Sequence, residues 1–486
     1  MSLSSRIILI ALILAVASTW ITPLQRELFI GDETKYAQVV REMRATGAFF
    51  LPTLNGAPFT HKPPLHFWMI DLLTFPLGVY SLWAFVLPSL IAFLFLEWLM
   101  WRMGGPLAAF ICGTSLMMWG SAQTARMDMS FTALIVLGAW MLQNDKLLPA
   151  AVALGIATLI KGPMAPVIGI FLFLFEAWRR KRFPRVHYIF PIAAVILIPL
   201  LWFIPAMLMG GAGYTHEVIV KQTVGRAVSA WVHSAPPWFY LLHLPGILFP
   251  WFFPAVAALR GANRFYLSWI AAVLIPYSAM SSKLDVYMMA MIPPVALMIA
   301  EFVEDSRPRL SGQRRAAVLH TWANVVTLAL MVVAILFISR VPPEAKLLMI
   351  ILAVSAAIAL LVTVRSLIYS TVAVGLVPLI PLAYAAITMM PLVNAIASPQ
   401  RLIAALENQH VAPEQIALYS CPNLWSRYNF PRELEHVRYV DANNIGNPAV
   451  IATSRIHAPE IAATLRGYRR VDQVQMIGKW FDVYRH

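Results

Sequence analysis

Cysteine is almost missing from this chain, and charge is scarce. Two cysteines occur in 486 residues, Cys112 inside an apolar run and Cys421 near the C-terminus, which excludes a disulfide framework and a thiolate-rich metal site. Asp, Glu, Lys and Arg together make up 12% of the residues, about half the share usual in a soluble domain. The chain is instead apolar. With 60% hydrophobic residues and a mean hydropathy of +0.70, it is a polytopic membrane protein that uses lipid as solvent. Its net charge of +14 comes from short Lys/Arg clusters between apolar runs, a pattern of membrane orientation and not of a nucleic-acid surface.

Runs able to cross a core of about 30 Å lie near 7–24, 80–100, 106–122, 129–143, 188–209, 237–259, 265–280, 286–302, 319–338, 347–363 and 368–390. The stretch 148–177 is broken at Lys161-Gly162-Pro163 and reads as two short helices, for about thirteen crossings. Gln25-Arg26-Glu27 follows the first run where a signal peptide would have small residues, so that run is expected to stay as an anchor. Basic connectors at Arg102, Lys146, Trp178 to Arg185, Arg260 to Arg264, Arg307 to Arg315 and Arg365, with Arg6, are expected in the cytoplasm, and the N-terminus with them. The opposite, periplasmic face then receives residues 25–79, Arg126 to Asp128, Lys161-Gly-Pro, 210–236, Ser281 to Asp285 and a polar tail. The division expected is a membrane domain over 1–390 and a soluble α/β domain over 391–486.

The loop 25–79 is too long for a plain connector. After the paired acids Asp32 and Glu33, the apolar residues Tyr36, Val39, Val40 and Met43 recur at helical spacing and Gly47 supplies a stop, which predicts an amphipathic surface helix. Asp32 would suit an N-cap, with Glu33 in the first turn. Asn55-Gly56 predicts a turn, and Pro63-Pro64 stiffens the chain after His61 and Lys62. A lysine on a rigid element suits a phosphate; a lysine snorkelling at a lipid interface is the plainer alternative.

These residues, taken in order with Ala125-Arg126-Met127-Asp128-Met129, Lys161-Gly162-Pro163, Pro237-Trp238-Phe239-Tyr240 and Ser282-Lys283-Leu284 with Tyr287, resemble the bacterial GT-C membrane glycosyltransferases. The pattern is most similar to the aminoarabinose transferases of lipid A and to the protein O-mannosyltransferases, over about residues 7 to 300. The resemblance implies a mainly α-helical membrane fold and a sugar donor on polyprenyl phosphate. It further implies inverting transfer to a lipid A-like, glycan or protein acceptor at the outer face of the inner membrane, with Asp32 as the catalytic aspartate. This chain departs from many relatives in having His61 before Lys-Pro-Pro and Asp285 after Ser-Lys-Leu.

The chemistry asks for the same residue types. A departing polyprenyl phosphate needs preorganised cations, for which Lys62, Arg126 and Lys283 are candidates, and the acceptor needs a base or an orienting group, for which Asp32 is the candidate. Asp128 would orient Arg126, and Glu33 would tune Asp32. Tyr36, Lys161, Glu217, Arg226 and Tyr287 are candidates for substrate contact or support, with Tyr214, His216, Gln222 and His233 forming part of an expected lid over 210–236. No ligand spacing specifies a metal, although Asp, Glu and His on one face could hold a divalent cation. A secondary transporter would place ionisable residues near the midplane of its spans, whereas here they gather at one surface. A membrane scaffold would not need Asp32, Lys62, Arg126 and Lys283 together.

Beyond about 396 the pattern changes to QIALYSCPNLWSRYNF as a strand followed by helix or loop, HVRYVDA and PAVIATS as strands, PEIAATLRGY as a helix and VQMIGKWFDVYRH as a final strand. No Gly-rich phosphate loop occurs in it.

Overall fold

The computed structural model describes the chain apart from residues 1–2, 29–30, 182–187, 226–233, 306–312, 341–342, 364–366, 422–436 and 477–478. The candidate residues Arg226 and His233, parts of the basic connectors and the segment after Cys421 lie outside the described residues. The described chain is mostly helical and divides into two compact units.

The first unit comprises Met1–Thr22, Thr60–Met69 and Val86–Ile387. Among the described residues, six helices are long and apolar enough to cross a membrane: Ser5–Leu24, Leu82–Gly113, Ile189–Thr223, Asp285–Glu304, Val318–Phe337 and Leu367–Thr388. A pair bent by 108°, Phe239–Ile247 and Phe252–Gly261, could supply a seventh. The count of about thirteen expected from the sequence is not confirmed among the described residues. The apolar helices α6 (Asp128–Gln143), α7 (Leu147–Lys161) and α8 (Met164–Arg180) have 16, 15 and 17 residues, which at 1.5 Å per residue falls short of a core of about 30 Å. The break at Lys161-Gly162-Pro163 is where α7 hands over to α8, with Gly162 at φ 92°. Small residues let these helices approach closely. Leu154 of α7 fills the space that a side chain at Gly169 would need, and Gly155 leaves room for the carbonyl of Ala194 on the neighbouring helix α9 (Ile189–His216).

One expectation is overturned here. The stretch from 210 to 225 is not a loop, because α9 bends at Gly211, with φ 71°, and continues as helix through His216 into a wider turn over Glu217–Gly225. Among the described residues of the expected lid, Glu217 accepts from Gln222 at 3.4 Å and pairs with Lys221 at 2.7 Å, the latter at a spacing that supports helical backbone.

The second unit comprises Pro23–Phe59, Ile70–Phe85 and Thr388–His486. Its first helix, α2 (Gly31–Thr46), buries Tyr36, Val39, Val40 and Met43 as the periodicity predicts, and stops at Gly47 with φ 72°. Asn55 and Gly56, at φ 55° and 83°, turn the chain between β1 (Thr53–Leu54) and β2 (Ala57–Pro58), the two-residue hairpin that an Asn-Gly pair favours. Glu42 of α2 grips this turn, accepting from Thr53 Oγ1 at 2.6 Å, Asn55 N at 2.6 Å and Gly56 N at 3.1 Å.

The C-terminal part of this unit holds a five-stranded sheet in the order β4-β3-β5-β7-β6, formed by β3 (Ile416–Tyr419), β4 (Arg438–Val440), β5 (Val450–Ser454), β6 (Arg469–Met476) and β7 (Lys479–Arg485). Strand β3 runs parallel to β4 and β5, and β7 is antiparallel to β5 and β6. The single final strand expected from the sequence is thus two strands folded back on each other, with Met476 opposite Lys479. The helix expected over PEIAATLRGY is limited to Ala458–Leu465. Alternate residues of the strands point to two apolar layers. Ile416, Leu418, Val450 and Phe481 pack with Leu402 and Leu406 on one face, and Ala417, Tyr419, Ile451 and Ile461 cluster on the other.

Candidate functional site

Most of the described charged residues picked out in the sequence gather in two groups, one in each unit. In the second unit, Asp32 and Glu33 occupy the first turn of α2, where the helix dipole favours carboxylates. They are not equivalent. Asp32 is half-buried, whereas Glu33 is fully buried and forms an ion pair with Arg26, itself 6% exposed. Arg26, which the sequence offered only as an argument against a signal peptide, is therefore part of the support of this turn. Its one legible signal is its position seven residues before Glu33 in a chain where charge is rare. Tyr36 is buried in the packed face of α2.

In the first unit the group is built at helix ends. Asp128 is the first residue of α6 and Lys161 the last of α7, so each charge complements the dipole of its own helix. The two form a buried ion pair. Arg126 Nε lies 3.2 Å from the second carboxylate oxygen of Asp128, and Ser89 Oγ donates to the Arg126 carbonyl at 2.9 Å, which fixes the backbone before α6. Lys62, just ahead of α3 (Leu65–Leu77), is close enough for its charge to act on Asp128 as well. Three cations thus converge on one carboxylate. The Lys161 ammonium also lies over the Tyr287 ring at 4.7 Å and the Phe131 ring at 5.5 Å, and Tyr287 stacks on Tyr277 with centroids 5.2 Å apart. Arg126 keeps about a quarter of its side chain exposed while Asp128 is nearly sealed. The Arg126 guanidinium is more exposed than either Asp128 or Lys161. His66, buried in the first turn of α3, feels the Asp128 charge too and was not picked out in the sequence.

Lys283 is held differently. It is 3% exposed, donates to the carbonyl of Ser278 at 3.0 Å and to that of Met280, and lies 5.9 Å from the Tyr240 ring. Burial lowers its pKa below the ordinary lysine value. Its amine caps the end of the helix Arg264–Ala279. The neighbouring Asp285 meets His243 Nδ1 at 2.7 Å, a partner that spacing alone did not indicate. His61 is exposed, and its charge acts on Glu217. Among the described residues, no three of His, Cys, Asp and Glu converge as a metal site would require.

No family model matches the chain. Among curated proteins it is 27% identical over 348 residues to "Undecaprenyl phosphate-alpha-4-amino-4-deoxy-L-arabinose arabinosyl transferase" of Pectobacterium atrosepticum, covering 65% of this chain and 62% of that one. It is 24% identical over 372 residues to the second protein of that description in Proteus mirabilis, covering 70% and 66%. The chain thus spans somewhat under two thirds of the length of the first of these relatives. Among solved structures, ArnT from Cupriavidus metallidurans bound to undecaprenyl phosphate is 18% identical, with a TM-score of 0.73 over 99% of this chain and 98% of that one. The apo form of the same protein gives 0.74. At that identity the likeness establishes a shared fold.

Proposed function

We propose that this chain is a membrane glycosyltransferase of the GT-C type, taking a sugar from a polyprenyl-phosphate carrier and passing it to a lipid A-like lipid or another glycan of the cell envelope. The observation that carries the reading is the convergence of Lys62, Arg126 and Lys161 on Asp128 at the ends of short, broken helices. That arrangement suits a phosphate leaving group and has no evident use in a scaffold. The names of the curated relatives favour an aminopentose on undecaprenyl phosphate as donor.

In this reading the acceptor oxygen forms a bond to the anomeric carbon of the donor while the bond from that carbon to the phosphate oxygen breaks. The phosphate departs with the electron pair, and the configuration inverts. Arg126 and Lys62 hold the charge that develops on the phosphate. Donors fixed in advance in a partly dehydrated site are typically worth several kcal/mol each. Arg126 presents a fork that can make two parallel bonds to phosphate. Lys161 keeps Asp128 neutralised, and Asp128 in turn holds Arg126 in place. Lys283, engaged with two carbonyls, is a supporting residue.

Asp32 accepts the proton of an acceptor hydroxyl, or orients an acceptor that is already anionic, and Glu33 with Arg26 fixes the turn that carries it. The protein is read as a multi-pass protein of the bacterial inner membrane with its N-terminus in the cytoplasm and its site and sheet domain on the periplasmic side. The decisive experiment supplies undecaprenyl-phosphate aminoarabinose and lipid A to the purified chain in nanodiscs and follows sugar transfer by mass spectrometry. Transfer that depends on Asp32 and Arg126 supports the reading; no transfer of any polyprenyl-linked sugar to any envelope acceptor overturns it.

A further inference from the structure

The second unit holds a crevice of about 350 Å³ between the Asn55 turn and the carboxyl ends of β3 and β4, a volume in the range of small-ligand sites. We infer that this crevice is a saccharide subsite, taking the sugar portion of the acceptor; that occupant rests on the glycosyltransferase reading above.

The crevice opens outside the carboxyl ends of two adjacent parallel strands, β3 and β4, the edge of a parallel sheet on which ligands of open α/β folds bind. The backbone marks the same spot. Ser420, which lines the crevice at the end of β3, is held at φ 48°, a conformation that costs a non-glycine residue energy and clusters at functional sites.

The lining chemistry selects a sugar. Asn55, Ser420 and Asp441 supply amide, hydroxyl and carboxylate groups, and Tyr439 supplies an aromatic wall, the combination that matches the alternating polar edges and apolar faces of a pyranose. Among the described residues that line the crevice none is basic and Asp441 contributes a carboxylate, a lining that disfavours anions. Cys421 at the base is no nucleophile, because burial pushes its thiol up to about 12 and the group is hydrogen-bonded to the Ala452 carbonyl at 3.3 Å. The wall formed by Asn55 is held from α2 by Glu42. It lies seven residues before Lys62 in the chain.

The test uses the full-length protein in nanodiscs, with a soluble glucosamine disaccharide as probe and inorganic phosphate as control, followed by saturation-transfer NMR and by acceptor kinetics. Asp441→Asn, at an exposed position, and Tyr439→Ala should each weaken disaccharide binding by about tenfold, the scale of one lost charge-assisted hydrogen bond or stacking contact. They should raise the acceptor KM by a similar factor and leave kcat and donor KM unchanged. A disaccharide that binds equally well to both variants, or phosphate that displaces it from the wild type, overturns the subsite. Disaccharide binding that requires Asp441 in a protein without any transfer activity supports the subsite and sinks the glycosyltransferase reading instead. Active transfer with an unmoved acceptor KM in both variants overturns the assignment of the crevice to the acceptor.

Discussion

Lys161, the last residue of α7, closes on Asp128, the first residue of α6, and the pair is buried. Removing Lys161 leaves Asp128 with Arg126 and Lys62 as counter-charges, so the loss should stay below the about 3–5 kcal/mol of a buried ion left with none, while removing both members exposes only Arg126, whose guanidinium is partly open to water. Lys161→Ala is expected to lower the thermal midpoint, and the double variant Lys161→Met with Asp128→Leu is expected to recover part of that loss. Detergent melts of the two singles and the double test this; a double variant less stable than either single would contradict it.

Arg126 and Lys161 share Asp128 but should not fail alike. Arg126 is the more exposed partner, so Arg126→Ala is expected to reduce transfer by about a hundredfold or more with a smaller change in stability. Arg126→Lys keeps the charge and loses the fork, and its rate should fall between that of Arg126→Ala and wild type. Steady-state transfer rates beside melting curves separate the two effects. An unchanged rate in both Arg126→Ala and Lys62→Ala would place the phosphate elsewhere.

Adjacent acids on α2 are expected to give opposite phenotypes. Asp32→Asn should lose at least about a hundredfold in rate while the protein still inserts and melts normally. Glu33→Gln, by removing the carboxylate that pairs with buried Arg26, should lower stability by up to about 3–5 kcal/mol. Near-full activity in Asp32→Asn would reduce that residue to a role in the helix start.

Cys421 makes the sheet domain sensitive to alkali. Its folded pKa is raised from 9.0 to about 12 by burial, so the folded state holds the thiol proton more tightly than the unfolded chain. That contribution is complete below pH 9 and is lost as pH rises from there towards 12. Urea titrations across this window should show stability falling with pH, and Cys421→Ala should make the fall shallower. An identical slope in the variant would show that the thiol titrates freely.

The sequence by itself determined whatever neighbouring residues encode. Its hydropathy dictates lipid as solvent. The apolar period after Asp32, closed by Gly47, dictates α2; Asn55-Gly56 dictates the hairpin turn; and Gly162-Pro163 dictates the break after α7. Each follows from local backbone preference or from one face needing burial. It also drew attention to Asp32, Lys62, Arg126, Asp128 and Lys161, because charge is costly in such a chain and survives where it has a use.

Tertiary structure alone decided the partners. Glu33 meets Arg26, Lys161 crosses 33 positions to Asp128, and Lys283 turns to two carbonyls of its own helix end, since a buried charge takes whichever counter-group the packed helices bring within reach. The same holds for backbone over longer spans. The polar stretch 210–225 stays helical because its side chains find partners one turn away. The last strand of the sheet became two because β7 could pair with both β5 and β6, a choice made by hydrogen-bonding neighbours that no single segment contains.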